Sequence, residues 1–155
     1  MTRYLGFLLA TLLAAPSLAS ESALKNTAKL WYEAFTTKNP ALLEQILSPQ
    51  WVDIPAPAGE PTGPQGAKNI LKQLSTSFPD LTITVKDVVQ EGKKVVVRSE
   101  ISGTQKGEFL GRPTKGGKLA IQAIDIHEFE GDKIARTWHS EDWMTGLHQL
   151  RILGD

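Results

Sequence analysis

The chain has 155 residues, with 17 basic and 17 acidic side chains, a formal net charge of +0 and no cysteine. The even charge leaves no basic stripe for nucleic acid. The missing thiols exclude disulfides, iron–sulfur clusters, cysteine zinc sites and cysteine nucleophiles.

The first stretch reads as a signal peptide over residues 1–19. MTR gives a short positive start, YLGFLLATLLAAP an apolar run, and SLA the small residues before a cut after Ala19. An uncut N-terminal anchor is the alternative. Cleavage leaves one domain over residues 20–155, periplasmic or secreted. No later apolar run reaches the length of about 18 residues that a membrane span needs, so no membrane association is expected after cleavage. No cysteine follows the leader to carry a lipid.

Residues 22–38 read as an amphipathic helix, with Leu24, Ala28, Trp31 and Phe35 at helical spacing. Asn39 caps a second, short helix that starts at Pro40 and turns Leu42, Leu43, Ile46 and Leu47 inward. WVDIP is a short strand closed by proline, and APAGEPTGP is loop. GPQGAKNILKQLSTSF is a third helix with Ile70, Leu71, Leu74 and Phe78 inward. Past Pro79 the period changes to two: LTITVKDVVQ, the turn EGKK, then VVVRSEISGTQ. A glycine-rich loop over 107–117 leads to KLAIQAIDIHEFE, the Gly131-Asp132 turn and KIARTWHSEDW, and the tail holds one or two helical turns. Helices first and hairpins after predict an α+β fold with an antiparallel sheet covered on one face by the N-terminal helices. A curved sheet so covered encloses a conical ligand space.

The last hairpin carries the chemistry. A two-residue turn at Gly131-Asp132 pairs His127 with Arg136 and Asp125 with Trp138 if the register is regular. One face then collects Asp125, His127, Phe129, Ile134, Arg136, Trp138 and Asp142, and the other holds Thr137, His139 and Glu141. Apolar neighbours on the first face would raise the pKa of Asp142 toward the range useful for proton transfer, with His127 as the second titrating group. By spacing alone the same residues also make a solvated network at a sheet edge. Gln105 lies on the Ser99 and Ile101 face, within reach of the pocket. Trp31 and Phe35 read as core that also lines it. The three histidines have no metal-ligand spacing, and no metal is expected.

The segments SFPDLTITVKDVVQEGKKVVVRSEISGTQKGEFLG, IDIHEFEGDKIARTW, Asp142 and GLHQL resemble the SnoaL-like polyketide cyclases, also called predicted ester cyclases, within the nuclear transport factor 2-like superfamily. The resemblance spans roughly residues 22–150 and implies a cone-shaped α+β barrel, in relatives often a homodimer through the sheet. It further implies aspartate acid–base catalysis of an aldol type without metal or organic cofactor, with Asp142 at the position of the catalytic aspartate. His127 matches the family's strand histidine or tyrosine. Gln105 stands where many relatives have histidine, and Glu128 where they often have arginine. The expectation is an exported enzyme for a small carbonyl or ester ligand. Asp142 and His127 are its catalytic residues, and Trp31, Phe35, Gln105, Asp125, Arg136 and Trp138 are its binding residues. The competing readings are a non-catalytic binder of an apolar molecule and a dimeric interaction module.

Overall fold

The computed structural model describes residues 18–153, so the expected leader lies almost wholly outside the described residues. Helix α1 (Leu18–Thr37) leads to α2 (Pro40–Ile46) and strand β1 (Leu47–Ile54), then α3 (Pro64–Ser77). Strands β2 (Thr82–Glu91), β3 (Lys94–Thr104), β4 (Lys118–Glu130) and β5 (Lys133–Glu141) follow, and α4 (Trp143–Gln149) closes the fold. The sheet order is β1-β5-β4-β3-β2. Four strands form the expected antiparallel meander, whereas β1 joins the β5 edge in parallel, which makes the sheet mixed.

Local chemistry sets the boundaries. Asn39 accepts a hydrogen bond from the Ala41 amide and Pro40 opens α2, as the sequence implies. Leu47, expected on the second helix, instead starts β1, and that strand is longer than WVDIP alone. Gly63 precedes α3 with φ of 78°, and a Cβ there would come within 2.4 Å of the Pro49 carbonyl oxygen, so only glycine fits. Its amide donates to the Trp51 carbonyl at 2.7 Å, which ties the loop end to β1.

The core lies between the helices and the concave sheet face. Trp51, Phe78, Phe129, Leu43 and Ile134 are fully enclosed there. Helix α1 crosses β2 and packs on α2. Trp31 stacks at a tilt between Phe35 and Trp51, with ring centroids 5.1 and 5.5 Å away. No described helix is long and apolar enough to cross a membrane.

The Gly131-Asp132 turn is as expected, with Glu130 opposite Lys133 and Phe129 opposite Ile134. Only Gly131 has positive φ, which marks a type II′ turn. The next pair is Glu128 with Arg136, so Ala135 is an extra residue in β5. This β-bulge shifts every later residue by one. His127 therefore faces Thr137, Ile126 faces Trp138, Asp125 faces His139 and Ala123 faces Glu141. The regular register predicted from the sequence is corrected accordingly: Arg136 and Trp138 point to the outer face, and Thr137, His139 and Glu141 to the inner one.

Phe129 anchors the core directly beside the bulge. Phe129→Ala should cost about 3–5 kcal/mol. Urea denaturation followed by tryptophan fluorescence would measure it.

Candidate active site

A cavity of about 440 Å³ opens between α1, α3 and the concave sheet face. That size suits a small organic molecule. Its walls are apolar: Trp31 and Phe35 from α1, Ile70 and Leu74 from α3, Ile83 and Ile101 from β2 and β3. Phe109, Leu110 and Trp143 stand at the other side. The polar groups gather on β1, β4 and β5, as Asp53, Asp125, Thr137, His139 and Glu141, with Tyr32 above them and Ser99 on β3.

Behind the wall runs an uncharged relay. The Trp51 indole N–H can only donate, and it donates to Thr137 Oγ1 at 3.0 Å. Thr137 Oγ1 lies 3.0 Å from His127 Nδ1, and His127 Nε2 lies 3.0 Å from the Tyr32 hydroxyl. Tyr32 donates to Asp125 Oδ2 at 2.8 Å. One pattern satisfies all of these contacts. The Tyr32 proton goes to Asp125, so the Tyr32 oxygen accepts from His127 Nε2–H, and Nδ1 accepts from Thr137. Every donor then points toward Asp125. Burial holds the imidazole of His127 neutral, with its pKa pushed down to about 3. Burial also raises the Tyr32 phenol, helped by the charge of Asp125.

Asp125 itself is pushed up to about 6, mainly by burial. The Tyr32 hydrogen bond opposes that rise and the Glu141 charge adds to it. Its Oδ1 has no protein partner among the described residues.

A charged cluster stands beside it. His139 Nδ1 is 2.9 Å from Glu141 Oε1, and Nε2 is 3.1 Å from the Pro55 carbonyl oxygen and 3.4 Å from Asp53 Oδ1. Both ring nitrogens face acceptors only, so both carry protons and the ring is an imidazolium. The bond to Glu141 leads the causes that lift His139 to about 9, against the cost of burial. Burial lifts Asp53 to about 6, while the His139 charge pulls it down and Glu141 pushes it up. Among the described residues no group of three or more such side chains is arranged to hold a metal ion.

Trp31, Phe35 and Asp125 thus line the cavity, as expected. His127 does not line it and reaches it through its hydrogen-bond partners Tyr32 and Thr137, which do. Gln105 is buried outside it, where its side-chain amide donates to the Gly107 carbonyl and its main-chain carbonyl accepts from the Thr114 hydroxyl. Arg136 lies on the outer face, 3.0 Å from Glu128 and 3.6 Å from Glu130. Trp138 is there too, with Lys94 Nζ 5.3 Å from its ring centroid. Asp142 is exposed and caps α4, accepting from the Thr145 amide at 3.1 Å, and this bond lowers its pKa. Its pKa therefore moves opposite to the rise expected from the sequence, because the carboxylate meets a helix N-terminus and water rather than an apolar wall. Sequence reasoning missed Tyr32, Asp53, Thr137, His139, Glu141 and the lining role of Ser99. One signal was available: the consecutive apolar pair Ile134-Ala135 breaks the alternation of β5, and both residues are buried.

A curved sheet with helices across its concave face, closed around a cavity with acids and imidazole at one end, defines an α+β pocket protein of the nuclear transport factor 2-like type. The chain belongs to the SnoaL-like polyketide cyclase family, whose model matches residues 25–150. It is similar in structure to TsrD from Streptomyces laurentii, at 26% identity and a TM-score of 0.80, covering 85% of this chain and 97% of that one. It is also similar to a putative polyketide cyclase from Bacillus cereus ATCC 10987, at 25% identity and a TM-score of 0.78, covering 90% and 87%. IdmH from Streptomyces antibioticus, described as a putative polyketide cyclase, matches at 28% identity and a TM-score of 0.70, covering 82% and 97%. No curated protein sequence matches the chain. Family membership supports cyclase- or isomerase-type chemistry in general terms.

Two outcomes follow from the polar groups. Tyr32→Phe removes the donor to Asp125 and strands the His127 N–H, at a cost of about 1–3 kcal/mol. It should also raise the Asp125 midpoint above 6, read from its carboxyl carbon by NMR. His139 has a folded pKa of about 9, above the unfolded ~6.5. Its stabilisation is therefore complete below about pH 6.5 and is lost as pH rises through 9. The unfolding free energy from urea titrations should fall over that window by roughly 1–2 kcal/mol, with partial exposure taken into account. That window lies above the titrations of Asp53, Asp125 and His127, and the fall should flatten in His139→Gln.

Proposed function

We propose that the chain is an exported enzyme whose side chains perform acid–base chemistry on a small carbonyl compound or ester, of aldol, isomerase or lyase type. The observation that carries this reading is Asp125. It is a buried carboxyl lifted to about 6, with Oδ2 held by Tyr32 and Oδ1 left free at a cavity wall. A group titrating near neutrality is suited both to take and to return a proton. The export half of the reading rests on the N-terminal sequence.

In the reaction, Asp125 Oδ1 takes a proton from the carbon next to a carbonyl, and the C–H electron pair moves into an enolate. The enolate carbon attacks a second carbonyl, or is reprotonated elsewhere for isomerisation. The neutral Asp125 acid then returns its proton to the new alkoxide or carbon. The Tyr32 bond stabilises Asp125 while it is ionised, and the His127–Thr137–Trp51 chain fixes Tyr32 in place. Aromatic walls exclude water and strengthen each of these interactions. A binder of a purely apolar molecule would have little use for this arrangement, which favours the enzyme reading over the non-catalytic one.

The test is proton exchange. A panel of aryl alkyl ketones, with and without amino substituents, is incubated with the protein in D₂O, and loss of the α C–H signal is followed by NMR. Asp125→Asn should slow exchange by about 10²–10⁴-fold with circular dichroism unchanged. Asp142→Asn should exchange at the wild-type rate. Equal exchange in Asp125→Asn would remove Asp125 from the mechanism.

A further inference from the structure

The charge at the polar end of the cavity is lopsided. Asp53, Asp125 and Glu141 bring three carboxylates, and His139 brings the one cation; no lysine or arginine lines the space among the described residues. Both N–H groups of that imidazolium are already spent, one on Glu141 and the other on Pro55 and Asp53. Nothing charged is left to receive an anionic ligand. An enolate formed here would add its charge to a site that has no free positive group.

A second, independent observation points to a ligand at the same place. Ser99 lines the cavity, is 1% exposed, and its hydroxyl has no hydrogen-bond partner among the described residues. Buried hydroxyls are normally satisfied, so an orphan on a cavity wall is a donor and acceptor held for a guest. Ser99 sits diagonally across the β3–β4 ladder from Asp125, since Ser99 pairs with Ala123 and Val97 with Asp125. The remaining walls carry four aromatic rings, Trp31, Phe35, Phe109 and Trp143. Aromatic faces attract cations as well as flat apolar bodies.

We propose that the cavity takes an organic cation, a flat apolar body carrying a protonated amine, with the nitrogen among Asp53, Asp125 and Glu141 and a carbonyl oxygen on Ser99. The proposal rests on the cavity being the substrate site. It adds that the substrate supplies the positive charge that the pocket lacks. An ammonium close to the carbonyl offsets the enolate charge, and it offsets the mutual repulsion of the three carboxylates in the bound state.

Three probes on one skeleton test it by calorimetric titration of the whole chain at neutral pH and low salt: 3-phenylpropylamine, 3-phenylpropan-1-ol and 3-phenylpropanoate. The amine should bind at least tenfold tighter than the alcohol, and the propanoate should show no saturable binding. An Asp53→Asn variant should lose most of the amine's advantage, and Asp142→Asn, at the exposed helix cap outside the cavity, should keep it. Absence of amine binding, equal affinity for amine and alcohol, or tighter binding of the propanoate would overturn the proposal. The catalytic reading fails separately. If Asp125→Asn exchanges ketone protons as fast as wild type while the amine preference stands, the mechanism falls and the ligand class survives. Exchange that depends on Asp125 with no amine preference gives the reverse.

Discussion

Ala135 is one residue more than β4 can match, and that surplus decides which side chains meet the cavity. On the turn side of the bulge, Phe129 and Ile134 fill the core. Beyond it, Thr137, His139 and Glu141 take the inward face beside Asp125 and His127. A regular strand would drive the Arg136 guanidinium inward, away from Glu128 and Glu130. It would also remove Thr137 from the gap between Trp51 and His127 and leave two buried N–H or ring nitrogen groups unsatisfied. Each such group costs on the order of 1–3 kcal/mol, so the bulged register is held by the polar interior as well as by the apolar core.

Two histidines on neighbouring strands then acquire opposite characters. His127 is sealed among Trp31, Tyr32 and Thr137, and its partners are hydroxyls. A charge there would have no counter-ion, and the ring stays neutral. His139 is only partly buried and meets a carboxylate, a carbonyl and a second carboxylate, so its ring stays charged. Neutral relay and charged cluster meet at Asp125, which the first orients and the second influences at a distance. Asp125 is thus held by uncharged bonds that do not themselves titrate near neutrality, while burial first and the nearby charges second set its affinity for a proton.

Much of the fold was legible because it rests on period and punctuation. The α1 spacing, the Asn39-Pro40 cap, the switch to alternation after Pro79 and the Gly131-Asp132 turn are all local signals. Trp31, Phe35 and Asp125 were placed on the pocket by the same logic. The rest depends on a single count. Parity arguments carry across a hairpin only if no strand holds an extra residue, and the cue at Ile134-Ala135 is a mild one. The resulting error was systematic: it exchanged Arg136 and Trp138 for Thr137 and His139. Asp53 was out of reach for another reason, because β1 joins β5 in parallel across most of the chain, and no local pattern specifies that pairing. Asp142 carried a family resemblance, but its neighbour Thr145 makes it a helix cap, and capping needs only an acid one residue before a helical run.

The composition of the pocket end bears on whether it works or only holds. A fold gains nothing in stability from burying Asp53 and Asp125, both of which are lifted to about 6 by the loss of water. Apolar residues of similar volume in their place would give an equally closed and more stable wall. Tyr32, His127, Thr137 and Trp51 are likewise engaged in directing one hydrogen bond at one carboxylate. Such an arrangement makes sense where the difference between a carboxylate and a carboxylic acid is itself the function. The unpaired Oδ1 of Asp125 is where that difference reaches the cavity.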